Sequence, residues 1–220
     1  QCSLDYSHYD TYAMTDPVFI RTALDTLEDS LNRYPEGFFR QLHFGSIESI
    51  RIEVVGGLTL KSDVTTHTDD AGAFAQNRGS YYEIVLDGYL MQPSTLFREF
   101  SHIIDARLAW DSAIREDALY SEEAWLALQP DGFRYAMSYL TIPEDVLGYI
   151  DSGYFITEYA LCYPTEDRAV LMGSAMENYY WDFEPGSGKR EKMQFYADCI
   201  RDCFDTTGWP DQVLWEEYLP

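Results

Sequence analysis

Gln92-Pro93-Ser94-Thr95-Leu96-Phe97-Arg98-Glu99-Phe100-Ser101-His102-Ile103-Ile104-Asp105 is the stretch around which this chain is organised. Pro93 suits the first turn of a helix, where its missing N–H is not needed. Leu96, Phe100, Ile103, Ile104 and the stem of Arg107 recur at helical spacing. At about 100° per residue, Arg98, His102 and Asp105 fall within roughly 60° of one another, opposite that apolar stripe. One helix therefore buries one side and aims a polar row at something.

With His in place of Arg98 the stretch would read H-E-F-S-H, in which two imidazoles one turn apart bind zinc and the Glu activates a water. Arg98 changes the chemistry, because a guanidinium stays protonated in a protein and has no lone pair for a cation. Arg98 is excluded as a ligand. Glu99 and His102 alone say little, since Glu-x-x-His arises by chance on many helices.

At 220 residues the chain has room for one domain with a full core. We expect an irregular arm over 1–16 and a single domain over 17–220, with an N-terminal part at 17–108 and a mainly helical part at 109–220. A hydrophobic share of 46% and an aromatic share of 16% exclude disorder. The 18 Tyr and 5 Trp exceed what the core requires, so some rings are expected at the surface, where they suit peptides or sugars. A formal charge of -23 repels phosphate backbones and anionic membranes, and nucleic acid is rejected as a partner. No apolar run is long enough to span a membrane, so no membrane span is expected.

The four cysteines allow three full pairings. Cys199 and Cys203 lie one helical turn apart without a second pair at zinc-finger spacing, which leaves buried thiols or a disulfide to Cys162 as alternatives. Cys2 is a candidate lipid anchor or a stray thiol, and no signal peptide is visible at Gln1.

Asp16-Pro17 opens a helix carrying Phe19, Ile20, Ala23, Leu24, Leu27 and Leu31. Residues 49–55 alternate as a strand, which Leu58 to Leu60 could continue, and 61–79 form a polar loop or hairpin excursion. Residues 81–86 are a second strand, proposed as the sheet edge that pairs with an extended peptide. Ser121 caps a short helix, Pro143, Gly148 and Gly153 mark a loop, and a helix capped by Thr165 runs to Tyr180. A last helix carries Met193, Tyr196, Ala197, Ile200 and Phe204 on one face. A small mixed sheet over the motif helix followed by helices defines an α+β fold.

A zinc site takes a third protein ligand from elsewhere in the fold, and its ligands take supporting partners. Glu166 in the first turn of the 165–180 helix fits the ligand, and Asp167 fits a partner that orients His102. Tyr159, seven residues before Glu166, fits a phenol that supports an oxyanion. A capped helix start is the plainer account of Thr165-Glu166-Asp167.

Residues 97–105, Tyr154-Phe155-Ile156-Thr157-Glu158-Tyr159-Ala160 and Thr165-Glu166-Asp167-Arg168-Ala169 together resemble the bacterial zinc-binding metallopeptidases related to the anthrax lethal-factor-like gluzincins. Tyr34-Pro35-Glu36-Gly37-Phe38-Phe39 and Gly56-Gly57-Leu58 are similar to that family's N-terminal segments, so the resemblance covers roughly residues 17–180. It implies a zincin-like fold with His102 and Glu166 as zinc ligands, Glu99 as general base and Tyr159 as oxyanion helper. It also implies an exported, extracellular or cell-surface protein, as a lipoprotein does when anchored, acting on a peptide or protein. Arg98 stands where the family has its first His, which predicts an impaired hydrolase with a retained peptide cleft. Arg98 is expected to pair with Glu99 or Glu166 in place of the cation. The alternatives are an active zinc peptidase in which His43, His67 or another group completes the site, and a surface-binding or structural module that reuses the fold.

Overall fold

The computed structural model describes residues 9–60 and 72–219, so Cys2, His67 and most of the excursion expected over 61–79 lie outside the described residues. Its α+β architecture packs two small sheets against a helical body. Helix α1, Pro17–Leu31, starts where Asp16 caps the Val18 N–H, as the Asp-Pro pair dictates. Strands β2 (Ser49–Val55), β4 (Ala73–Asn77) and β5 (Tyr81–Asp87) form one sheet in the order β2-β5-β4. β2 runs parallel to β5, and β4 runs antiparallel to it.

Five expectations are corrected here. The stretch at 81–86 is the central strand, and the edge beside the motif helix is β4, which lies within the stretch read as an excursion. Alternation reports which face a side chain takes and says nothing of lateral neighbours. β3, Gly57–Leu60, does not extend β2 but turns away at Gly56 to pair antiparallel with β1, Tyr9–Tyr12. The supposedly irregular arm thus carries a strand. Thr165 is not the cap of its helix: α5 spans Pro164–Met176 with Tyr163 at the cap and Pro164 in the first turn, and it stops short of Tyr180.

The motif helix is α2, Pro93–Ile114. It has no side-chain cap of its own at Gln92, and the Glu177 carboxylate accepts the Ser94 N–H at 2.8 Å instead. Phe97, Phe100, Ile103, Ile104 and Leu108 of α2 are buried with Ile84 and Leu86 of β5 on one side. Leu171, Met172 and Met176 of α5 join them, with Met193, Tyr196 and Ile200 of α6, Gly188–Cys203. Short helices α3 (Glu122–Ala127), capped by Ser121, and α4 (Glu144–Leu147) lie in the connection between α2 and α5.

α5 is covered on every side, with all residues from Glu166 to Met176 buried. That enclosure explains the absence of a polar face in its sequence. It also forces three consecutive charges inward, where each is paired with a different set of side chains. Glu166 faces α2, while Asp167 takes the Lys192 ammonium of α6 at 2.7 Å. Arg168 donates to Asp105 of α2 at 2.8 Å and reaches Glu122 of α3 at 3.3 Å. Paired this way, the charges avoid the penalty of isolated burial. Cys162, Cys199 and Cys203 are free thiols. Among the described residues no helix is long and apolar enough to cross a membrane.

Candidate functional site

The polar row of α2 faces the first turn of α5. His102 Nε2 lies 3.7 Å from Glu166 Oε2, and Arg98 Nη2 lies 3.8 Å from the same oxygen. The other oxygen, Oε1, accepts the Tyr139 hydroxyl at 2.7 Å. The Glu166 carboxylate is thereby shared among an imidazole, a guanidinium and a phenol. Arg98 fits between the helices because Gly173 of α5 leaves room for its stem, and a methyl at that position would come within 3.1 Å of Arg98 Cγ. The guanidinium also lies over the Tyr159 ring at 4.7 Å from its centroid, a cation–π contact.

Glu99 points to the other side of the row. It is 9% exposed and accepts the backbone N–H of Ala75 in β4, so the edge strand and the motif helix meet at this carboxyl. Burial pushes its pKa up to about 7, against the pull of His102 and Arg98 and with a smaller push from Glu166. At neutral pH it is poised to take or release a proton. Burial raises Tyr159, with Glu166 adding to the effect, and burial together with the bond to Glu166 raises Tyr139. Tyr139 is held protonated as a donor to Glu166.

Arg98, Glu99, His102, Tyr159 and Glu166 are thus brought together. Asp167 is not. Its Oδ2 accepts Lys192 Nζ and the Tyr135 hydroxyl, each at 2.7 Å, and Tyr135 in turn accepts the Trp125 indole N–H at 3.0 Å. One residue beyond Glu166 on the helix, it faces away from α2, so it anchors α5 to α6 and does not orient His102. Tyr139 was missed by sequence reasoning. It sits in an irregular segment whose only local sign is Met137, held at a left-handed φ of 54° two residues earlier, and spacing gives no hint of its reach. Tyr139 stacks with Tyr159 at 5.5 Å and tilts on Tyr163 at 4.6 Å, which holds the hydroxyl over Glu166.

The donor set does not suit the zinc that the resemblance implies. A catalytic zinc uses three protein ligands, and among the described residues only His102 and Glu166 converge with usable lone pairs. Arg98 adds a fixed positive charge at the carboxylate that would bind the ion. Among the described residues no three His, Cys, Asp or Glu side chains gather as a metal cage, and His43 is exposed at the end of the turn Phe38–Leu42. Beside the row opens a cavity of about 460 Å³ that includes His102, Tyr139 and Glu166 in its wall, and Ala75 of β4 forms part of its rim.

Comparison with protein-family models, curated proteins and solved structures finds no match to the chain.

Proposed function

We propose that the chain is a zinc-metallopeptidase-like protein of the gluzincin type, impaired as a hydrolase at one ligand position, that retains a cleft for an extended peptide. The observation that carries this reading is the shared Glu166 oxygen, with Arg98 and His102 at 3.8 and 3.7 Å. A guanidinium there supplies the positive charge that a metal would supply, and it does so without polarising a water. Glu99 at about 7 can still exchange a proton, but it has no activated nucleophile to generate. The antiparallel edge of β4, next to Glu99, offers main-chain groups to a peptide laid along it.

Elemental analysis of the unmodified protein, purified without metal-affinity steps, tests the reading. We expect zinc well below one equivalent and no chelator-sensitive peptide cleavage. Stoichiometric zinc with such cleavage would overturn it in favour of an active peptidase with another ligand set. The companion expectation is that Arg98→His gains zinc affinity by titration calorimetry, because it adds a third lone pair beside His102 and Glu166. If Arg98→His folds and gains none, the gluzincin assignment itself is wrong.

A further inference from the structure

We propose that the cavity beyond His102 receives a basic side chain, lysine or arginine, of the peptide held along β4, an inference that rests on the peptide cleft proposed above. The cavity borders the edge strand at Ala75, so a chain paired with β4 can send a side chain into it. Its volume of about 460 Å³ admits a long side chain. Ala106 and Ala109 of α2 and the Tyr120 ring line part of the wall, an apolar path for a methylene stem.

The polar part of the wall decides the charge of the occupant. Asp105, Glu122 and Glu166 contribute three carboxylates, and Arg168 is the one guanidinium in the lining. Counting Arg98 against Glu166 as well still leaves one negative charge in excess. Glu122 accepts from Tyr120 at 2.9 Å and from Arg168 at 3.3 Å, and its side chain remains 48% exposed. Deeper in the same wall, Asp105 and Arg168 are 5% and 1% exposed. They pair with each other at 2.8 Å, so Glu122 is the more accessible carboxylate of the wall. The excess negative charge and the half-exposed Glu122 carboxylate suit a cationic group. An acidic side chain would meet repulsion from these carboxylates, and a purely aliphatic one would leave their charge without a counterpart.

The test uses the full chain and blocked, fluorescein-labelled heptapeptides of Ala and Ser, scanned with one lysine, one norleucine or one glutamate at each position. Binding is read by fluorescence anisotropy. At one position lysine should bind at least about tenfold tighter than norleucine, with glutamate weakest. Glu122→Gln should narrow the preference for lysine over norleucine severalfold. Should that variant disturb Arg168, Ala109→Lys, at an exposed position of the cavity wall, gives an independent check. Its tethered ammonium should abolish the preference. Equal binding of lysine and norleucine peptides would overturn this inference and leave the peptide cleft standing. No binding by any peptide would overturn the cleft and the inference together.

Discussion

Replacing Glu99 by Gln should stabilise the protein at high pH and leave it unchanged at low pH. Glu99 is 9% exposed, and burial moves its pKa from the ordinary 4.5 to about 7. The groups facing it are Arg98 and His102 on the same helix, Glu166 and Tyr159 from the α5 side, the Ala75 N–H of β4, and Tyr9 of β1. A carboxyl whose folded pKa lies above its unfolded value favours the fold while both states are protonated. As pH rises from about 4.5 to about 7, the unfolded chain releases this proton first, and stability falls across that window. Above it the loss is complete and constant. At about 1.4 kcal/mol per tenfold change in acidity, the loss is about 3 kcal/mol. Gln keeps an oxygen for the Ala75 N–H and never ionises. Urea melts of both proteins from pH 4 to pH 8.5, with chelator present, should therefore coincide at the acid end. At pH 8 the Gln protein should be about 3 kcal/mol more stable, roughly 6–12 °C in Tm for a chain of this size. A difference that stays flat with pH would refute the buried, proton-holding carboxyl on which the proton-exchange role proposed for Glu99 depends.

Tyr139→Phe removes the hydroxyl from Glu166 Oε1 and should lower stability by about 1–3 kcal/mol, measured by the same urea melts. An unchanged melt would mean that solvent replaces the phenol at no loss. Lys192→Met strands the Asp167 carboxylate in the core beside Tyr135 and should lower stability by about 3–5 kcal/mol near pH 7. Burial raises Asp167 while Lys192 holds it down, so part of that loss should return as the pH falls and the stranded acid takes a proton. Thermal melts at pH 5 and pH 7.5 check both points.

Much of the helical body was legible in the sequence because its signals are local. Asp16-Pro17, Gln92-Pro93 and Ser121 each mark a helix start, and the stripe from Met193 to Ile200 marks the buried face of α6. Periodicity did not reveal the convergence of Arg98, His102 and Glu166, since 64 residues separate His102 from Glu166; only the search for a third carboxylate ligand on a later helix pointed to it. β4 was hidden because Ala73-Phe74-Ala75-Gln76-Asn77 has little of the β-branched character that marks a strand, and pairing with β5 supplies what its propensity lacks. The role of Asp167 was misjudged for a geometric reason. Adjacency to Glu166 in sequence places it about 100° around the helix, against α6 and away from His102.

The triplet Glu166-Asp167-Arg168 carries a consequence for how this chain can vary. A slip of α5 by one position would set the guanidinium of 168 against the ammonium of 192, and the carboxylate of 167 against the row on α2. Two cations would then be forced together out of reach of water, a penalty that a single compensating change could not remove. Length changes upstream must therefore be absorbed before Pro164, in the connection where α4 and the neighbouring turns lie, and never within the helix itself.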